Sequence, residues 1–270
     1  MISKHILRSI VPILLCSSFY SCVEPIVGCL DPESVNYQLD ADEACEDECC
    51  VFPEIDVSIF HQYQDTALFL GDTLTNTLDQ DYSIIDFVYF LSDWQFKDSD
   101  GQWHTILDSI SLNSGLNTLL EKDDVLRVSR NNFTYNIGTT IFDGSIEEIQ
   151  FRFGISENFN TLDFTNPISN HPLTSDPDSL RTDDGYVMLR IQIAQGENLS
   201  DTIIYDVSDN TQLSPILFQI EAESLRGNDK NVVIQALYNR WFDAIDFGSM
   251  DQDAIESHLA LQMQELFEAM

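Results

Sequence analysis

The sequence predicts a mainly β protein: a sandwich-like antiparallel domain with a C-terminal helix, preceded by a small disulfide-rich segment. Runs of aromatic and β-branched residues recur along the chain, separated by Asn, Asp, Ser, Thr and Gly clusters at the intervals typical of a sandwich. Residues 251–270 show helical spacing of apolar residues instead. With 270 residues, of which 43% are hydrophobic, the chain is long enough to bury a full core.

The N-terminal stretch, residues 1–21, has the pattern of an export signal. Lys4 and Arg8 precede an apolar run at 10–15, and small polar residues follow as far as Cys22. The apolar run is too short to span a membrane as a stable helix. The small residue directly before Cys22 resembles the lipobox of bacterial lipoproteins. We therefore expect an exported protein, periplasmic or on the cell surface, anchored to the outer membrane through a lipid on Cys22. Cleavage without lipidation is the alternative.

A cysteine-rich acidic spacer is expected over residues 22–53. Its thiols are those of Cys29, Cys45, Cys49 and Cys50. Export favours disulfides over metal thiolates, and adjacent cysteines rarely bond to each other. Two bridges that link Cys29 and Cys45 to the adjacent pair are the favoured interpretation, with the pairing open. A zinc site with four thiolates and a calcium loop built from the local carboxylates are the alternatives. The ordered calcium-loop pattern is absent.

The charge of the chain is strongly acidic. The formal net charge is −34, and the 46 Asp and Glu residues are dispersed along the sequence. Such a field disfavours nucleic acid and anionic membrane surfaces as partners. It indicates a solvated acidic surface with at most weak calcium binding.

The body of the protein, residues 54–270, is expected to fold as one β domain. Residues 55–60 alternate apolar with small or polar side chains, as a half-buried strand does. Residues 82–96 are followed by a Lys-Asp-Ser-Asp-Gly turn that returns the chain as a hairpin. A helix over 251–270 has Ser249 or Asp251 as its expected N-cap. The predicted strands lie at 55–60, 82–96, 102–107, 146–153, 186–193, 202–207, 216–222 and 231–236.

Candidate chemistry in the body is sparse. Gly-rich phosphate loops, the G-x-S-x-G elbow and H-E-x-x-H are all absent from the sequence, so we do not expect an enzyme. Histidine is the commonest metal ligand, although a hydrogen-bonded histidine without a metal is an ordinary alternative. The tryptophans are expected in the core. The residues concerned are His61, His104, His171, His258, Trp94, Trp103 and Trp241.

Several motifs in the body occur in the order of a known family. Phe60-His61 is followed by FVYFLSD at 87–93, FRFGI at 151–155, HPL at 171–173 and WFDAIDF at 241–247. Over about residues 55–269 this resembles the MbnP-like family, periplasmic copper-binding proteins found beside methanobactin systems and common as lipoproteins. The resemblance implies a copper-binding protein. It also implies a di-haem oxidase of the MbnH type, or an outer-membrane transport protein, as partner.

The resemblance also implies the copper ligands. His61 and His171 match the family's histidines, and Asp183 and Asp184 are possible further ligands. The segment after HPL, residues 174–186, lacks the tryptophans that family members carry there, and residues 217–220 have no histidine. The alternative is therefore a family member that keeps the β scaffold as a protein-interaction module without copper.

Overall fold

A computed structural model of the chain describes residues 24–46, 49–114, 117–142, 144–161, 171–173, 180–182, 185–208, 215–222 and 227–269. The export signal, Cys22, Asp183 and Asp184 lie outside these residues. Within the described ranges, no helix is long and apolar enough to cross a membrane.

Strands make up most of the described structure, and helices are few and short. The strands are β1 (Val27–Gly28), β2 (Glu43–Ala44), β3 (Glu54–Tyr63), β4 (Thr66–Ala67), β5 (Leu74–Thr75), β6 (Asp81–Asp98), β7 (Trp103–Thr105), β8 (Ser109–Ser114), β9 (Asn117–Lys122), β10 (Leu126–Ser129), β11 (Thr134–Thr139), β12 (Ile146–Phe153), β13 (Arg181–Thr182), β14 (Gly185–Tyr186), β15 (Leu189–Gln195), β16 (Asp201–Val207), β17 (Ile216–Ala222), β18 (Lys230–Leu237) and β19 (Phe267–Ala269). The α-helices are α1 (Glu157–Thr161), α2 (Asn239–Phe242) and α3 (Gln252–Gln262), and 3-10 turns span Glu197–Leu199 and Met263–Leu266.

Two sheets form the body. In the larger sheet, β6 pairs antiparallel with β15, β12, β10, β7 and β5, while β16 and β17 lie outside β15 and β12. In the smaller sheet the order is β11-β3-β18-β19, with β4 also on β3. The β3–β18 pair is parallel, which brings a strand from the end of the chain beside the first strand of the body.

The two faces of β6 pack against different clusters. Phe87, Tyr89 and Leu91 point into the main core, which both sheets line. Val88 and Phe90 point the other way, into a smaller apolar cluster that we call the outer cluster. The remaining members of the outer cluster are Ile110, Val125, Ile155, Phe159, Leu173, Leu180, Tyr186, Val187 and Met188. A strand whose successive side chains alternate in direction can be buried on both faces, and this explains the almost unbroken hydrophobic run in its sequence.

The cysteine segment contains two disulfides. Cys29 is bonded to Cys50 and Cys45 to Cys49, with Cα–Cα distances of 5.2 and 6.1 Å. The prediction that Cys29 and Cys45 link to the adjacent pair is confirmed, and the structure specifies the pairing. The Sγ atoms of Cys45, Cys49 and Cys50 lie within 4.8 Å of one another, and the two bridges account for this proximity without zinc. Asn36 ties the segment together, donating to the Cys49 carbonyl and accepting from the Val51 N–H.

The C-terminal helix differs from the prediction. Asp251 is its N-cap, as expected, and its carboxylate accepts from the Ala254 N–H at 2.9 Å. The expectation that the helix continues to residue 270 is wrong, because α3 ends at Gln262 and Phe267–Ala269 pairs with β18. Burial of Phe267 in the main core favours this extended ending over another helical turn.

Two other expectations need correction. Trp94 and Trp241 are buried, but Trp103 is 41% exposed and was wrongly expected in the core. Trp103 lies on the short hairpin strand β7, where the Lys97 ammonium packs over its ring at 5.8 Å. The region 109–139, for which no strand was predicted, contains β8, β9, β10 and β11. Its polar composition weakens the alternation on which strand prediction depends.

Candidate functional site: a buried histidine

His61 occupies an inward position of β3. The side chains of Ile55, Val57 and Ile59 are buried on the same face, so the two-residue period of the strand carries the imidazole into the protein. His61 is 8% exposed. β3 continues to Tyr63 and so is longer than the strand predicted at 55–60.

Aromatic rings surround this imidazole. Its ring centroid lies 5.1 Å from that of Phe87, 5.7 Å from that of Phe133 and 5.6 Å from that of Tyr238. Phe133 is itself 58% exposed, so the imidazole lies one side chain away from solvent. The site is therefore apolar but close to the surface.

The two ring nitrogens of His61 have different surroundings. Nδ1 lies 2.8 Å from the hydroxyl of Tyr238, which can donate onward to the Tyr89 hydroxyl at 3.5 Å. In that arrangement the Nδ1–H donates to Tyr238 and Nε2 carries a lone pair; in the other tautomer Nδ1 accepts from the Tyr238 hydroxyl and the proton is on Nε2. Among the described residues, Nε2 has no hydrogen-bond partner.

Burial sets the charge state of His61. It lowers the pKa of the imidazole from 6.5 to about 4, because the charged form loses solvation, and the nearby backbone carbonyl of Asn132 offsets this only in part. The side chain is consequently neutral at neutral pH. A neutral imidazole with one nitrogen fixed and the other unprotonated can coordinate a metal ion.

His171 has a different environment. It is 4% exposed and packs against Phe159, with ring centroids 5.8 Å apart. Nδ1 accepts from the Leu173 N–H at 3.2 Å, so in the neutral ring the proton is on Nε2. Nε2 lies 3.2 Å from Oδ1 of Asp123. Nδ1 of this histidine is thus hydrogen-bonded, and a carboxylate oxygen lies close to Nε2.

The described structure does not bring the two predicted ligands together. His61 contacts Phe87 of the main core, whereas His171 contacts Phe159 and Leu173 of the outer cluster, on the other face of β6. Throughout the described ranges, the cysteine cluster is the one group of three or more His, Cys, Asp or Glu side chains close enough to share a metal ion. The metal roles of His61 and His171 remain predictions.

The other histidines occupy structural positions. His104 Nε2 lies 2.6 Å from Oδ2 of Asp98, and its ring stacks on Phe142 at 4.6 Å. The Asp98 carboxylate also accepts from the N–H groups of Asp100 and Gln102, so it organises the β6–β7 turn. The hydrogen bond from His104 holds the pKa of Asp98 below its usual range. His258 is half-buried on α3.

Asp124 is a buried carboxyl that no sequence motif marked. It accepts from the N–H of Trp94 at 2.9 Å and of Asp93 at 3.3 Å, where β6 bends. Burial raises its pKa to about 7. Because its partners are backbone groups, it supports the bend of β6 and is not a candidate ligand.

The fold and the histidine environment define a class of protein. It is a β-sandwich domain that follows a disulfide-bonded segment and contains a neutral imidazole buried just below the surface. The family model MbnP matches residues 53–259, and the chain belongs to the MbnP family. One solved structure to which the chain is similar is "MbnP from Methylosinus trichosporium". The similarity covers 72% of this chain and 78% of that chain, at 11% identity and a TM-score of 0.41. No curated protein matches the chain.

Proposed function

We propose that this MbnP-family protein is an exported, lipid-anchored, non-catalytic protein that binds copper, with His61 as one donor. The observation that carries the proposal is the buried Nε2 of His61, which has no hydrogen-bond partner among the described residues. A buried polar atom without a partner forfeits its hydration. Other buried atoms share this feature, Trp94 Nε1 and Trp241 Nε1 among them, and His61 Nε2 differs from these in being a nitrogen that can coordinate a metal. A metal ion on Nε2 would supply the missing interaction.

The chemistry of this donor suits copper. Imidazole nitrogen is a borderline ligand that copper favours over carboxylate oxygen. The hydrogen bond from Nδ1 to Tyr238 would fix the ring orientation, and the low pKa keeps protons from competing for Nε2 at neutral pH. Copper, when bound, would supply a redox-active cation to this site.

One imidazole is a partial ligand set. The described residues place no second His, Cys, Asp or Glu with His61 in a group of three. His171, the other predicted donor, would have to release the Leu173 N–H or the Asp123 carboxylate before it could coordinate. Asp183 and Asp184, both outside the described residues, stay proposed ligands. A di-haem oxidase of the MbnH type, or an outer-membrane transport protein, is the proposed partner.

Copper stoichiometry of the purified protein is the first test. Cu(II) and, under reducing conditions, Cu(I) would be titrated into the wild type and into the double variant His61→Ala, His171→Ala. We expect one copper per chain in the wild type and none in the double variant. Weak, non-stoichiometric uptake that is equal in both proteins would contradict the proposal. Mass spectrometry of the membrane-extracted protein tests the lipid on Cys22 independently.

A second candidate function is a protein-interaction module without copper. The separation of His61 and His171 on opposite faces of β6 favours it, because a two-histidine site needs both rings at one point. Under this alternative the partner would bind equally well with and without copper. Cross-linking of the lipidated protein in intact cells, with and without a copper chelator, would distinguish the two candidates.

A further inference from the structure

A polar pocket on the outer face of the larger sheet concentrates positive charge in an otherwise acidic protein. It encloses about 400 Å³. Three of the chain's 12 Lys and Arg residues, Arg127, Arg130 and Arg190, line it. One acidic residue, Asp86, also lines the pocket, so arginines outnumber carboxylates in its lining although the chain has 46 acidic residues.

Strand pairing explains why these side chains converge. Val88 on β6 lies opposite Ser129 on β10 and Arg190 on β15, while Phe90 lies opposite Arg127. Residues directly opposite in an antiparallel pair share a face, so all of these side chains point away from the main core. The two flanking strands are about 10 Å apart across β6, a span that arginine side chains on either side can bridge.

The next row of the sheet forms the floor of the pocket. Gln192 of β15 pairs with Asp86 of β6 on one side and with Ile204 of β16 on the other. All three residues line the pocket, and Ile204 is 47% exposed. The floor therefore combines one amide, one carboxylate and one apolar side chain.

Carboxylates hold two of the arginines in position. Asp206 accepts from Arg190 at both oxygens, Nε–Oδ1 at 2.7 Å and Nη2–Oδ2 at 2.6 Å. Asp86 lies 3.7 Å from Nε of Arg130, and both of these side chains are nearly half exposed. A two-point pair fixes a guanidinium plane, whereas a long, exposed pair contributes little and exchanges readily with another anion. Arg190 is thus preorganised. Arg130 is exposed and is held only by the long pair with Asp86 and a 3.4 Å hydrogen bond to the Ile85 carbonyl.

We infer that this pocket, which we call the arginine pocket, is a binding site for a small molecule bearing a carboxylate or phosphate group. Guanidinium groups recognise both through paired N–H···O bonds. The volume lies within the range of small-molecule sites, and the exposed Ile204 offers a contact for the apolar part of a ligand. The inference does not require copper, because none of the proposed copper ligands lines the pocket, although Phe87 borders both the pocket and His61.

Calorimetric titration of the full exported chain with inorganic phosphate and, separately, with succinate tests the inference. We expect one saturable site for at least one of the two anions. Phosphate binding alone would identify phosphoryl recognition, and succinate binding alone carboxylate recognition. No saturable binding of either anion would overturn the inference.

Three variants locate the site. Arg130→Gln removes one exposed charge, and Gln192→Glu adds a negative charge to the floor with little change in shape. Arg152→Gln is the control, since Arg152 is also a partly exposed arginine of the larger sheet paired with an aspartate, Asp93, but lies outside the pocket. We expect at least a tenfold loss of anion affinity in each of the first two variants and none in the control. An equal loss in Arg152→Gln, or unchanged affinity in Gln192→Glu, would overturn the inference. Thermal midpoints of all variants report folding, and if Arg130→Gln fails to fold, Gln192→Glu decides.

Discussion

His61 and His171 are both buried and both hydrogen-bonded through Nδ1, yet the surroundings of their Nε2 atoms differ. The Nδ1 of His61 faces the Tyr238 hydroxyl and its Nε2 has no hydrogen-bond partner among the described residues. The Nδ1 of His171 accepts a backbone N–H and its Nε2 faces Asp123. Burial alone therefore does not make a histidine a candidate ligand. What differs is the group beside Nε2: the Asp123 carboxylate at 3.2 Å for His171, and aromatic rings with the Asn132 backbone carbonyl nearby for His61.

Copper affinity should show the largest difference between the two histidines. We expect His61→Phe to lose stoichiometric copper, with at least a 100-fold lower affinity, because the aromatic ring fills the space without a donor. We expect His171→Phe to retain copper within about threefold. Competition titrations with a chelator of known affinity measure both. Equal losses in the two variants would mean that the histidines act together, and the contrast drawn here would fail.

The second-largest expected effect is on the pH dependence of the free energy of unfolding. His61 determines the direction of this change. Its folded pKa of about 4 lies below the ordinary 6.5, so the unfolded chain binds the proton more readily. The free energy of unfolding is therefore undiminished above pH 6.5 and falls as the pH drops from 6.5 towards 4, by about 3 kcal/mol from this residue. Urea unfolding of the copper-free protein at pH 7.5, 5.5 and 4 measures this.

The contribution of His61 is obtained as the difference between the wild type and His61→Phe. The subtraction is needed because Asp124 changes the free energy of unfolding in the opposite direction. Its pKa is raised to about 7, so folding becomes less favourable as the pH rises from 4 to 7. Parallel pH profiles for the two proteins would contradict the lowered pKa of His61 that the structure implies.

The Tyr238 hydroxyl should have an intermediate effect. In Tyr238→Phe the buried Nδ1 of His61 loses its partner, which costs about 1–3 kcal/mol of unfolding free energy. Copper affinity should fall about 10- to 100-fold, because the ring orientation is no longer fixed. Tyr205→Phe is the control: its hydroxyl is also hydrogen-bonded, to Gln195 at 3.2 Å, without contact to His61. A drop in copper affinity of the same size in Tyr205→Phe would point to general loosening of the fold.

Removal of the carboxylate beside His171 should have the smallest effect. Asp123→Asn keeps the shape of the side chain and removes the charge facing Nε2. The Asp123 side chain is 40% exposed, so solvent screens the interaction and we expect less than 1 kcal/mol of destabilisation, with copper affinity unchanged. Chemical unfolding and copper titration check both. A loss above 2 kcal/mol would show that this pair is a main support of the outer cluster.

The patterns of apolar and polar residues within short stretches of the sequence predicted much of the architecture. Alternation in residues 55–60 and the aromatic run in 82–96 predicted β3 and β6, since the pleat of a strand directs every second side chain to one face. The motif order predicted family membership. Export chemistry, together with the strain in bonding adjacent cysteines, predicted that Cys29 and Cys45 connect to the adjacent pair, and the structure supplied the pairing. These are short-range properties of the chain.

Tertiary structure decided the rest. The hydroxyl that positions His61 belongs to Tyr238, 177 residues away, and it arrives through the parallel pairing of β3 with β18. The arginine pocket likewise depends on the register of β10, β6 and β15. The sequence by itself determined which residues can bind, and on which face of a strand each lies. Only the packed sheets determined which nitrogens and charges meet, because a strand pattern carries no information about its partner or register.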